Sequence, residues 1–67
     1  MAIMKVIEIM ADSDRSWDDA AANGIKQAAK SVKNIRAAWV QDQSCVVKGD
    51  QVQSYRVTLK ITFEVKS

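Results

Sequence analysis

Apolar and polar positions alternate through most of this chain, and the period of the alternation changes from two to about 3.6 and back again. The first regular stretch, Met4 to Met10, predicts a strand. Lys5, Ile7 and Ile9 point to one side, and Val6, Glu8 and Met10 to the other, with Ile7 and Ile9 as the core candidates. The residues from Ala11 to Arg15 interrupt the alternation with turn-forming types. Ser16 then has the chemistry of a helix N-cap, and Asp19, three residues on, resembles the reciprocal partner of a capping box. Trp17, Ala21, Gly24, Ile25, Ala28 and Val32 follow at steps of four and three, which makes one apolar stripe of mostly small residues. Asp18 and Asp19 suit the positive end of this helix, and Lys30 and Lys33 the negative end. The opposite face, with Asp19, Asn23, Lys26, Lys30 and Lys33, reads as solvated, because no aromatic residue is interleaved with the charges.

Two longer strands follow, Arg36 to Val46 and Gln51 to Val65, with Lys48-Gly49-Asp50 as the hairpin turn between them. The last strand keeps a strict period of two. Tyr55, Val57, Leu59, Ile61, Phe63 and Val65 share one side; Arg56, Thr58, Lys60, Thr62, Glu64 and Lys66 share the other. In the middle strand Ala38 and Val40 join the core side, and Ala37, Trp39, Gln41 and Gln43 are expected beside Arg56 and Thr58. The order is β-α-β-β. This predicts an α+β fold, one three-stranded antiparallel sheet with one helix on one face, in a single domain spanning 1–67. A lone helix covers one face of a sheet and leaves the other bare. That bare face is expected to be polar apart from Ala37 and Trp39, and to be where another subunit or a ligand docks.

Length sharpens this expectation. A chain of 67 residues and 7.4 kDa buries roughly 6,500 Å² on folding. Burial of the apolar part contributes roughly 100 kcal/mol, and ordering the chain costs about the same. The near-cancellation points to self-association as a source of further burial, since other staples are missing. One cysteine closes no internal disulfide, and a chain without histidine lacks ligands for an ordinary zinc site. The same absence removes Ser-His-Asp and Cys-His nucleophile systems, and Gly24 and Gly49 are too few for a phosphate-cradling loop. No apolar run approaches a membrane span. Lys5 and Glu8 break the N-terminal apolar stretch, so it does not read as a signal peptide. A lone thiol without an export signal fits a cytoplasmic location. The net charge of +2 is scattered, which argues against a nucleic-acid partner.

At this point the chain resembles the dodecins, very small β-α-β-β proteins that assemble into hollow twelve-subunit shells and in many members bind flavins. Four stretches carry the likeness: Lys5 to Ile9, Ser16 to Ala21, Ser31 to Arg36, and Tyr55 to Phe63. The resemblance implies a homododecamer that binds and sequesters a small ligand, without catalysis. It also implies FMN or riboflavin as cofactor. In flavin-binding dodecins a tryptophan early in the middle strand stacks on the isoalloxazine ring, and a glutamine after the tyrosine of the last strand hydrogen-bonds its polar edge. Here those positions hold Ala37 and Arg56, while Trp39 lies two residues further along. The flavin-site equivalents are therefore Ala37, Trp39, Arg56 and Thr58, and the site is degenerate. Loss of the indole removes stacking on the order of 1–3 kcal/mol, the scale of base–aromatic contacts. Arginine offers donors only. Weak or absent flavin binding is expected. The same departure resembles a second group of dodecins, some described as calcium-binding, which makes a calcium-binding or structural shell the alternative.

Each of these residues also has a plainer role. Trp39 fills a subunit interface, or stacks with Arg56 as a cation–π pair. Arg56 serves an ion pair with Glu8 or Glu64 of a neighbour. Trp17 packs in the core or plugs the end of the helix. Cys45 reads as a semi-buried strand residue. Asp12, Asp14, Asp18 and Asp19 form the dense carboxylate cluster, and turn and capping roles explain them, since the spacing of a calcium loop is missing. A calcium site built from carboxylates of several subunits has no signature in one sequence. A double-stranded-RNA-binding β-α-β-β module is the remote rival. No general base, metal set or nucleophile pair supports an enzyme.

Overall fold

The computed structural model describes residues 2–66. Strand β1 spans Ile3–Ser13, helix α1 Trp17–Ala28, strand β2 Ile35–Lys48 and strand β3 Gln51–Val65. The sheet is antiparallel with β3 in the centre, in the order β1-β3-β2. This is the α+β, three-stranded, one-helix arrangement that the alternation predicted. The regular period of β3 suits its central place. Val57, Leu59 and Ile61 are fully buried beneath the helix together with Ala20, and Ile7, Ile9 and Ala11 from β1 pack against them.

Small residues let helix and sheet approach closely. A Cβ on Gly24 would lie 2.9 Å from the Ala11 Cβ and 3.1 Å from a Leu59 methyl. Glycine is the residue that this contact accommodates. At the hairpin, Gly49 takes φ +67°, the left-handed conformation in which L side chains are disfavoured.

β1 does not stop at Met10. It continues through Ala11, Asp12 and Ser13, where Ser13 pairs with Tyr55. The turn begins only after Ser13, whose buried hydroxyl donates to Asp19 Oδ2 at 2.6 Å and accepts from the Arg15 N–H at 2.9 Å. Ser16 caps α1 as expected, its Oγ accepting from the Asp19 N–H at 3.0 Å. The reciprocal half of the capping box is not made. The Asp19 carboxylate is taken by Ser13 and by Asn23 Nδ2, the latter at 3.0 Å. The helix also ends a turn early, at Ala28, so Lys30, Val32 and Lys33 lie beyond it and Lys26 is the cation of its last turn.

β2 is less regular than its sequence suggests. Its pairing with β3 shifts between Ile35 and Ala37, between Val40 and Asp42, and between Val46 and Val47. The second shift makes Gln41 an extra residue, a β-bulge that reverses the facing of everything after it. Gln43 therefore lies opposite Val57 on the helix side, and Asp42 and Ser44 join the outer face. The expectation that Gln41 and Gln43 share the face of Arg56 is corrected accordingly. Cys45 is exposed rather than semi-buried.

Trp17 does plug the helix start. Its indole N–H donates to the Ser44 carbonyl at 2.9 Å, and its ring meets Tyr55 edge-on, centroids 5.1 Å apart. This ties the first turn of α1 to β2 across β3.

Candidate functional site on the outer sheet face

The face of the sheet away from the helix is built in rungs, each with one residue per strand. Asp12, Arg56 and Ser44 form one rung; Met10, Thr58 and Asp42 the next; then Glu8, Lys60 and Trp39; then Val6, Thr62 and Ala37. Cross-strand neighbours of this kind lie in direct side-chain reach. The face is more apolar than expected. Val6, Met10 and Trp39 are all about half or more exposed on it. A tryptophan and a methionine standing in water on a sheet face mark a surface suited to burial.

The four sequence-designated residues do not converge in one chain. Trp39 and Thr58 lie on adjacent rungs. Ala37 and Arg56 are three rungs apart, roughly 20 Å at ~3.3 Å per residue. That is too far for one planar ring to touch both. Trp39 and Arg56 are two rungs apart, so the expected cation–π pair between them is not formed within the chain.

Arg56 has a different partner. Its Nε donates to Asp12 Oδ1 at 2.7 Å and its Nη2 to Asp12 Oδ2 at 3.0 Å. This is a bidentate, charge-assisted pair. The guanidinium hydrogen bond holds the Asp12 carboxyl below its ordinary range, partial desolvation opposes that, and the arginine charge adds to it. The same bond raises Arg56. Within the chain, then, the acid that holds Arg56 is Asp12, ahead of any Glu8 or Glu64 of a neighbouring subunit. Glu64 is engaged elsewhere, accepting from Arg36 Nε at 3.2 Å with Lys66 Nζ at 3.5 Å.

Asp12 and Asp42 are the residues that sequence reasoning missed. For Asp12 a signal existed. The β1–β3 register carries Ile7 opposite Ile61, and the same ladder, continued, sets Asp12 opposite Arg56. For Asp42 there was none, because its place depends on the bulge.

These side chains do not fit a flavin held within one chain. Ala37 supplies no ring, and two of the donors on Arg56 already serve Asp12. Calcium asks for six to eight oxygen ligands. Among the described residues, no three of His, Cys, Asp and Glu come together in a way that could hold a metal ion. Glu8 and Asp42, which flank the Lys60 and Thr58 rungs, make no ion pair among the described residues.

Comparison with known proteins agrees with this architecture. A family model described as Dodecin matches residues 3–66. The chain is 36% identical over 66 residues to a Mycobacterium tuberculosis protein named calcium dodecin, covering 98% of this chain and 93% of that one. Its fold is similar to the crystal structure of the calcium-chelating calcium dodecin of the same organism, described as having a novel calcium-binding site, with a TM-score of 0.84 and 35% identity over 96% of this chain and 91% of that one. The dodecin from Streptomyces davaonensis shares the fold at a TM-score of 0.94 and 24% identity, covering 98% and 97% of the two chains. With the β-α-β-β order, the central last strand and the match over nearly its whole length, this chain belongs to the dodecin family.

Proposed function

We propose that this chain is the subunit of a non-catalytic, closed homo-oligomer, twelve-membered as the resemblance implies, that binds and stores a small ligand or ion between subunits, and that the ligand is calcium rather than flavin. One observation carries the preference. At the position after the last-strand tyrosine, where a flavin dodecin presents glutamine, Arg56 is clamped by Asp12. The polar edge of a neutral ring meets donors there that are already engaged, and Ala37 leaves the stacking position empty. The name and calcium-chelating description of the 36%-identical relative support the same preference. The chain's own carboxylates support a shared site, since Glu8 and Asp42 sit on the exposed sheet face and a second copy would double them.

The test is native mass spectrometry of the isolated protein, followed by calorimetric titration with calcium and fluorescence titration with riboflavin. A colourless assembly that takes up calcium and leaves riboflavin fluorescence unquenched is the expected result. Quenching at micromolar riboflavin without a response to calcium would return the site to flavin. A monomer would end the shell reading.

A further inference from the structure

A groove of about 430 Å³ runs along the free edge of β1, between that strand and α1. Ile9, Met10, Ala11, Gly24 and Ala28 line it together with the polar Asp12, Asn23 and Gln27. Three of its apolar lining residues, Ala11, Gly24 and Ala28, are small, which leaves room for side chains of valine size. None of the described residues covers it.

The same chain carries an unpartnered apolar segment. β1 ends opposite Tyr55, but the β2–β3 hairpin runs on through the pairs Val46↔Ser54, Val47↔Val52 and Lys48↔Gln51. The overhang is roughly 13 Å at ~3.3 Å per residue. The helix does not reach it either, and Val47 is 60% exposed and Val52 49%. The hairpin is collinear with β3 and points away from its own groove. Bending it back would break the ladder that forms it. The molecule is accordingly long, 51 × 19 × 14 Å.

The surface area agrees with a missing partner. The chain exposes 4980 Å², where a compact monomer of this mass exposes roughly 4,200 Å². The excess is close to the ~800 Å² that each partner contributes to a standard interface.

We infer that the hairpin tip of one copy, through Val47 and Val52, seats in the β1–α1 groove of the next copy. The inference rests on the oligomeric reading proposed above. Arm and groove are different patches, so the contact is heterologous, and rings of copies close where the rotation allows it. The arm is the part of the fold that only an assembly stabilises.

The experiment places cysteines at Val52 on the arm and Gln27 in the groove lining, in a chain whose own Cys45 is replaced by serine. Oxidation of this double variant is expected to give a ladder of covalent multimers on a non-reducing gel, and neither single variant should do so. A second variant, Val47→Asp with Val52→Asp, alters positions already exposed in the single chain. It is expected to keep its helical circular dichroism and to fall from the assembly to the 7.4 kDa chain. An assembly of wild-type mass in the aspartate variant, or a double-cysteine assembly without the ladder, overturns the arm-in-groove contact while leaving the oligomer intact. A wild-type protein that is monomeric at micromolar concentration overturns the oligomeric reading itself.

Discussion

Gly24→Ala is the substitution on which helix propensity and packing disagree. Gly24 lies inside α1, and in an exposed helix interior alanine would stabilise by about 1 kcal/mol. Here the added methyl would lie 2.9 Å from the Ala11 Cβ and 3.1 Å from Leu59 Cδ1. The Leu59 methyl belongs to a fully buried side chain, and the Ala11 Cβ is fixed to the β1 backbone, so neither rotates away without moving something else. Overpacking of this kind costs about 1–3 kcal/mol. With both contacts rigid the upper part of that range applies, about 2–3 kcal/mol, and after the propensity gain of about 1 kcal/mol a net loss of about 1–2 kcal/mol is expected. At this chain length each kcal/mol lowers the melting midpoint by about 4–8 °C. The assay is thermal unfolding at fixed protein concentration, because association makes the midpoint concentration-dependent. Ala11→Gly removes the opposing Cβ, so in a double-mutant cycle it should relieve part of the penalty of Gly24→Ala. A Gly24→Ala protein as stable as the parent would refute the close approach of α1 to β1 and show that propensity decides.

Trp17→Phe removes the donor to the Ser44 carbonyl while keeping a ring near Tyr55, and should cost about 0.5–1.5 kcal/mol in urea unfolding; no change would mean that the bond is not held in solution. Ser16→Ala leaves the Asp19 N–H without its cap and should cost about 1 kcal/mol in the same assay, with Ser16→Gly milder. Arg56→Gln frees Asp12, so a carbon-13 titration should show its carboxyl rising toward the ordinary value of 3.8. The pair therefore stabilises the folded chain above that value and loses its effect as pH falls through the depressed folded value. An unmoved Asp12 titration would refute the ion pair.

The strands and the helix start were legible because each rests on local chemistry. β3 alternates without interruption, and Ser16 can cap only where a helix begins. What the sequence concealed depends on pairing. A bulge at Gln41 is invisible until β2 lies against β3, yet it moves Gln43 to the helix side and brings Asp42 and Ser44 to the outer face. β1 runs to Ser13 because the sheet partner at Tyr55 overrides the turn preference of Asp12 and Ser13. The Asp12–Arg56 pair joins residues 44 positions apart, and only the register links them. Val40 shows a further limit. It has the predicted facing, opposite Leu59, but remains 44% exposed, because facing is a local property and coverage is not. The flavin-site equivalents came from resemblance, and their separation across three rungs followed only from the fold.

The central place of β3 has a consequence for the route by which the chain folds. β1 and β2 never pair with each other; each pairs only with the strand that comes last of the three. The β2–β3 hairpin closes through Gly49 between near neighbours, an event on the microsecond scale. Bringing Ser13 to Tyr55 closes a loop of 42 positions, with a chain-length cost of roughly 3 kcal/mol. The hairpin is thus the natural nucleus, and β1 with α1 docks onto a ladder that already exists. Changes within the hairpin should slow refolding, whereas changes in β1 or α1 should mainly hasten unfolding. Until docking, Val57, Leu59 and Ile61 stand uncovered on a sheet with open edges, so the interval before β1 arrives is when this small chain is most prone to pair with the wrong strand.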